Sequence, residues 1–304
     1  MPLRLPAMTG DTMPHLDYVH VDVFADRPFG GNSLPVFFDA PDLTPQAMLA
    51  ITQELRHFEA IFLQPTDRPG VVRARVFDLF EELAFAGHPI IGAAAVLQHR
   101  AAPGRSGDWT FDLSGRQVTV RVTYARERYF GLLDQGRPDF RGIVDSSADI
   151  ARAFGLDAED LDNRFPIEVV STGLRYMVVP LRPGCIGRAR IRVDITSLME
   201  SHGAQFAVLL DADASEVRHW NNDGIIEDVA TGSAAGVIGA YCHKNRLLGL
   251  GGALTLSQGR FAGRPSLLQV EVEGSDDEIV CVKVGGGVAF VGEGRIAVVP
   301  GDLP

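Results

Sequence analysis

The chain is poor in cysteine, tryptophan and clustered positive charge, and it lacks any long hydrophobic run. Its 304 residues include three cysteines and two tryptophans. Cys185, Cys242 and Cys281 form an odd set without Cys-x-x-Cys spacing, which excludes a disulfide framework and a zinc knuckle. Reduced, mostly buried thiols in a cytoplasmic protein are therefore expected. No apolar stretch approaches the roughly 20 residues of a membrane-crossing helix, so no membrane association is expected. Residues 1–12 contain too short an apolar stretch for a signal peptide, and globular patterning begins near Leu16. The preceding residues read as an extension or an early start site. Lysine and arginine total 28 against 39 acidic residues, a formal charge of −11, with no basic block. That balance argues against nucleic acid, whose phosphates require clustered cations. The eight histidines show no His-x-His or His-x-x-x-His spacing, so no metal site is expected.

Glycine, in contrast, is abundant: 33 residues, where about 7% of a chain, roughly 21 here, is usual. With 46% apolar and 22% charged residues the composition is globular, and the length suits about two domains. Thr44 reads as an N-cap with Pro45 at the first position of a helix running to about Arg56. Alternating segments predict strands at Tyr18–Phe24, Leu34–Phe38, Glu59–Leu63, Val72–Phe77, Trp109–Leu113 and Gln117–Thr123. A break rich in glycine, proline and aspartate at Gly131–Asp139 then precedes a second series. That series has strands at Pro166–Thr172, Arg175–Leu181, Phe206–Asp211, Val217–Trp220, Gly252–Gln258, Pro265–Glu273, Glu278–Val284 and Val288–Val298. Helices are expected at Pro89–His99, Ser146–Phe154, Ile195–His202 and Ala234–Asn245. The class is α+β, with one Ala/Gly-rich helix in each half.

Those two helices begin alike. Glu81-Glu-Leu-Ala-Phe-Ala-Gly-His-Pro and Glu227-Asp-Val-Ala-Thr-Gly-Ser-Ala-Ala each place acid, apolar residues, glycine and then a polar residue before an Ala/Gly run. His88 and Ser233 lie nearly half the chain apart, which suggests an internal duplication. The first N–H groups of a helix have no intrahelical partner and carry partial positive charge. Two such ends facing one cleft would bind a carboxylate and stabilise an enolate-like anion. Conventional capping of two buried helices by His88 and Ser233 is the plainer alternative. Neither segment has the Gly-x-Gly-x-x-Gly order directly after a strand, and no Walker-type Gly-Lys-Ser/Thr occurs, so no nucleotide cofactor is expected.

Five segments stand in order: Asp22-Val-Phe-Ala-Asp-Arg-Pro-Phe-Gly-Gly-Asn32, Phe58-Glu-Ala-Ile-Phe62, Glu82-Leu-Ala-Phe-Ala-Gly-His-Pro89, Glu227-Asp-Val-Ala-Thr-Gly-Ser-Ala-Ala235 and Gln258-Gly-Arg-Phe-Ala-Gly-Arg-Pro-Ser266. They carry a resemblance to the PhzF family of phenazine-biosynthesis-like proteins. It implies a diaminopimelate-epimerase-like fold of two similar domains, each a curled sheet around a central helix. The domains are expected at 14–128, with a return strand at 288–304, and at 129–287. It further implies a homodimer and cofactor-independent isomerisation of a small cyclic or unsaturated carboxylate. The family's acid/base glutamate falls on Glu59, with His88 and Asp228 as the other catalytic positions. Gly87, Gly232 and Ser233 fall on substrate-binding positions. The sequence departs from the family pattern at Val229, at Ile90 and at Phe77-Asp-Leu-Phe80, positions that could line the pocket.

Epimerases of the related fold use two cysteines, one at each helix start. Ala86 and Thr231 occupy those positions here, which disfavours two-thiol chemistry. A racemase, epimerase or lyase on the same scaffold is the second enzymatic reading, and a non-catalytic protein that binds a carboxylate metabolite is the third. From the sequence, Asp228 is either a direct participant or a partner of backbone N–H groups at the second helix start. Arg264 reads as a structural ion-pair residue.

Overall fold

Thr44 and Pro45 start the first helix as their chemistry dictates. Helix α1 spans Pro45–Leu55, the Thr44 side chain accepts a bond from the Ala47 N–H, and Arg56 closes the helix in a left-handed conformation. Met48, Ile51 and Thr52 are buried on its inner face, with Leu49 and Leu55 packed alongside. The computed structural model describes residues 15–297 except 39, 41–42, 114, 249–251 and 276–277. The extension before residue 15 and the end of the expected return strand, 298–304, lie outside the described residues.

Strands β1 (His15–Val23), β2 (Asn32–Phe37), β3 (Glu59–Pro65), β4 (Val71–Asp78) and the two-residue β5 (Glu82–Leu83) surround α1 in the chain. Then follow α2 (Gly87–Ala101), β6 (Gly107–Leu113), β7 (Arg116–Ala125), β8 (Arg128–Gly136) and β9 (Asp139–Ile143). The second series is α3 (Ser147–Ala153), β10 (Glu168–Ser171), β11 (Arg175–Leu181), α4 (Thr196–Ser201), β12 (Phe206–Asp211), β13 (Glu216–Trp220) and the short β14 (Glu227–Asp228). Helix α5 (Gly232–Lys244), β15 (Ala253–Gln258), β16 (Ser266–Ser275) and β17 (Glu278–Ala297) complete the chain.

Strand pairing repeats between the two series. In the first, β1–β2 is antiparallel, β2–β3 parallel, β3–β4 antiparallel, β4–β6 parallel, and β6–β7–β8 antiparallel. In the second, the same sequence of pairings runs β10–β11, β11–β12, β12–β13, β13–β15 and β15–β16–β17. Each parallel step crosses through a helix, as parallel pairing requires. Strand β17 then continues past Val288 to pair with β1. It also pairs with β8, so β1, β2, β3, β4, β6, β7, β8 and β17 close a ring around α2. Pro35, which cannot donate, sits where β2 is paired with β1 alone; its pairing to β3 begins one residue later.

Two expectations are corrected. The segment from Gly131 to Gly136 is strand, not break, and the two predicted strands after Glu278 are one strand of 20 residues. Glycine in both places serves close packing. A Cβ at Gly131 would lie 2.7 Å from Ile91 Cγ2, and one at Gly286 would lie 2.6 Å from Phe24 Cδ1.

Both central helices are apolar on every side, as enclosed helices are. Ile90, Ile91, Ala93, Ala94, Ala95 and Val96 of α2 share one continuous core with Ala234, Ala235, Val237, Ile238, Ala240 and Tyr241 of α5. Each fully buried isoleucine or valine stabilises the fold by about 1.5–3 kcal/mol. The helix glycines let the sheets approach: a Cβ at Gly92 would sit 2.5 Å from Leu34 Cδ2, and one at Gly239 would sit 2.3 Å from Val270 Cγ1.

Candidate active site

The two helix starts sit in matching frames. Leu83 pairs with Val76 and Glu82 with Phe77, while Asp228 pairs with His219 and Glu227 with Trp220. In each half a strand arginine grips the hairpin glutamate through two hydrogen bonds: Arg75 to Glu82 at 2.7 and 2.5 Å, and Arg218 to Glu227 at 2.7 and 2.7 Å. Each arginine also lies over the aromatic ring two residues on, Phe77 or Trp220. The duplication expected from the two motifs is thus built into the side-chain packing. It is broken at one position, where the second half has the polar pair His219–Asp228 and the first has Val76–Leu83.

The N-cap residues are Ala86 and Thr231, and neither helix has a side-chain cap bond. Conventional capping by His88 and Ser233 is therefore excluded, since both lie inside the first turn. Around the second start, polar groups are densely satisfied. Asp228 Oδ1 accepts from Asn32 Nδ2 at 3.3 Å and from the Ala230 N–H at 3.2 Å, and Oδ2 accepts from Thr231 Oγ1 at 2.6 Å. Gln258 joins the set, donating to the Asp228 carbonyl and to Thr231 Oγ1 and accepting from the Thr231 N–H. Gln135 donates to the Gly232 carbonyl, and Gly236 leaves room for it, since a Cβ there would lie 2.0 Å from Gln135 Oε1. Asp228 is therefore rigidly held, with donors on both of its oxygens.

Glu59, at the first position of β3, is the opposite case. Its Oε2 is buried with no protein partner, as is Nε2 of His88, and His88 Nδ1 stands 3.5 Å from that Oε2. Buried polar atoms without partners are rare, and each costs about 1–3 kcal/mol. Burial, with the nearby Asp228 and Asp78 carboxylates adding to it, raises the Glu59 carboxyl to about 8. Burial lowers the His88 imidazole to about 4, against the pull of Asp228. Near neutrality the Glu59 carboxyl mostly keeps its proton and the His88 imidazole is neutral. Asn32, which donates to Asp228 Oδ1 and to the Ala230 carbonyl, ties residues of both halves together here.

Ser233 Oγ lies 2.8 Å from the Tyr176 hydroxyl, and that phenol feels both Asp228 and Glu59. All six expected positions thus lie on or beside the two helix starts: Gly87 and His88 at one, Gly232 and Ser233 at the other, with Glu59 and Asp228 beside them. Sequence reading missed Tyr176, His219, Thr231, Gln258 and Gln135 as members of this assembly. Thr231 and Gln258 lay in quoted motifs; Tyr176, His219 and Gln135 are assembled by strand pairing. Arg264 is structural, donating to Asp22 Oδ1 and to the carbonyls of Gly30 and Gly31. A surface groove of about 700 Å³ between Tyr124, Tyr129 and Phe290 does not include Glu59, His88 or Asp228.

A closed strand ring around one helix, with the same order of strand pairings repeated in the second half, defines the diaminopimelate-epimerase-like class of α+β enzymes. Residues 21–294 match the phenazine biosynthesis-like protein family, and the chain belongs to that PhzF family. It is 30% identical over 292 residues to the trans-2,3-dihydro-3-hydroxyanthranilate isomerase of Pseudomonas fluorescens, covering 92% of this chain and 99% of that one. It is 32% identical over 289 residues to the isomerase of the same name from Pseudomonas aeruginosa, covering 91% and 98%. A solved structure of a predicted epimerase from P. aeruginosa superposes with a TM-score of 0.86 at 44% identity, covering 93% of this chain and all of that one. The protein is an enzyme of the isomerase type whose chemistry is acid/base work on a carboxylate substrate. No helix among the described residues is long and apolar enough to cross a membrane.

Proposed function

We propose that this protein moves a proton between two carbons of a small cyclic or unsaturated carboxylate, with Glu59 as the acid/base. The observation that carries the reading is the Glu59 carboxyl itself. One of its oxygens is buried and unpartnered, the carboxyl is held at about 8, and neither central helix has a side-chain cap bond at its start. A group poised near the working pH can both take and return a proton. The substrate carboxylate is held by the leading N–H groups of α2 and α5 around Gly87 and Gly232, and by Ser233.

The proton balance is as follows. A carboxyl at about 8 is ionised in part near neutrality, and the working form has released its proton to solvent. Glu59, as a carboxylate, removes a proton from a substrate carbon conjugated to the carboxylate. The electron pair moves into the conjugated system, and the helix N–H groups stabilise the resulting dienolate, with the neutral His88 imidazole 3.5 Å from Glu59. Glu59 returns the proton at the other end of that system and is again a carboxylate. Asp228, fixed by its three donors, holds the second helix start in place beside it. The two N-cap positions hold alanine and threonine, which leaves a single carboxyl base in place of a thiol pair.

The test is exchange in deuterated water with trans-2,3-dihydro-3-hydroxyanthranilate and related cyclic dienoic acids, followed by NMR. The substrate double bond should shift with the unaltered protein, whether or not deuterium enters the receiving carbon, and should not shift with Glu59→Gln. Absence of an isomerised product across the panel, or full activity in Glu59→Gln, would overturn the assignment.

A further inference from the structure

Tyr176 touches the proposed site at one atom, and the contact has a direction. The residue lies in β11 with 2% exposure, and its ring packs against Phe206 and His219 at centroid separations of 5.6 and 5.5 Å. His219 is itself fixed: its Nδ1 lies 2.9 Å from the Ala207 carbonyl, which can only accept, so Nδ1 carries the ring proton. Three interlocked rings therefore hold the phenol in one place. Burial, opposed by the Ser233 bond and reinforced by the Asp228 and Glu59 charges, pushes its ionisation far above neutrality. It faces Ser233 Oγ as a neutral hydroxyl across the 2.8 Å contact.

Of two hydroxyls in contact, one donates and the other accepts. If Ser233 donated to Tyr176, its lone pairs would face whatever lies at the start of α5, and an anion there would be repelled. If Tyr176 donates, Ser233 keeps its own O–H for the anion, and the two bonds polarise each other. We propose that Tyr176 is a positioning residue that turns the Ser233 hydroxyl into a donor to the substrate carboxylate. This role rests on the carboxylate reading of the site given above. It also makes Tyr176 a determinant of specificity. The Tyr→Ser→anion chain favours a charged oxygen over a neutral amide, because charge-assisted bonds are about twice as strong as neutral ones.

The test is titration calorimetry with anthranilate and anthranilamide, near-isosteric rings that differ in the charge of one group. Tyr176→Phe retains the ring packing and removes the donor. It should weaken anthranilate binding about three- to tenfold and leave anthranilamide within about twofold. Ser233→Ala should show a comparable loss, and the double variant should be no weaker than Ser233→Ala alone, because the second donor acts only through the first. Equal weakening of both ligands, multiplying losses in the double variant, or unchanged anthranilate binding in Tyr176→Phe would overturn the role. If the unaltered protein binds neither compound, the carboxylate reading fails and the role of Tyr176 fails with it. If it binds anthranilate and Tyr176→Phe binds it equally well, only the role of Tyr176 fails.

Discussion

Replacing Glu59 by glutamine is expected to stabilise the protein above neutral pH while abolishing its chemistry. In the folded state the carboxyl is raised from 4.5 to about 8, so it stays protonated where the unfolded chain has released the proton. Stability contributed by this group is fully present below about 4.5. It declines as pH rises toward 8 and stays lost above that, because the folded state binds more protons across the window. At about 1.4 kcal/mol per pH unit the full span is worth about 5 kcal/mol. The 18% of the side chain still open to water brings the expected value to about 3–5 kcal/mol. His88 acts with the opposite sign at lower pH. Its imidazole is lowered from 6.5 to about 4, so stability rises with pH across that interval and is flat beyond it. Between pH 6.5 and 8 the Glu59 effect stands alone within this pair. Glutamine reproduces the shape of the protonated acid and cannot ionise, so the variant should escape the decline. The measurement is urea denaturation of both proteins from pH 5 to 9, read by tryptophan fluorescence. The stability difference should be near zero at pH 5 and grow in favour of Glu59→Gln up to pH 8. A difference that stays flat, or one that turns toward the unaltered protein as pH rises, would refute the burial argument.

Asp228→Asn puts an amide where both oxygens now accept from N–H and O–H donors. Turnover should fall by about a hundredfold or more, as when a preorganised electrostatic group is lost, with circular dichroism unchanged. Gly236→Ala forces a methyl group to within 2.0 Å of Gln135 Oε1. The protein should lose about 1–3 kcal/mol and substrate affinity together, because Gln135 also holds the Gly232 carbonyl. Arg218→Lys breaks a pair whose side chains are 2% and 14% exposed, and Arg75→Lys a pair at 20% and 33%. Denaturation should show a cost of about 3–5 kcal/mol for the first and about 1 kcal/mol or less for the second.

Local chemistry made much of the chain legible. Thr44-Pro45 specifies a helix start whatever surrounds it, and the alternation in Tyr18–Phe24 specifies a half-buried strand. The two Gly-polar-Ala/Gly runs announced enclosed helices, because only such residues let sheets pack that closely. The same glycine content misled at Gly131–Gly136 and Gly285–Gly287. In sequence, glycine that breaks a strand and glycine that lets another chain segment approach look alike. Ile91 and Phe24, distant in the chain, decide between them.

Residue order carries the inventory: one glutamate before a strand, one histidine and one serine in matching first turns, an aspartate ahead of the second helix, and no cysteine at either N-cap. It determined the fold class as well, since hydrophobic period and turn chemistry are set by neighbouring residues. Tertiary structure alone decided which of these groups meet and in what state. Asn32 of the first half holds Asp228 of the second, strand pairing sets His219 beside Asp228, and β11 carries Tyr176 to Ser233. A carboxyl near 8 and an imidazole near 4 follow from loss of water and from charges remote in sequence. Desolvation belongs to the assembled interior, and no local pattern encodes it.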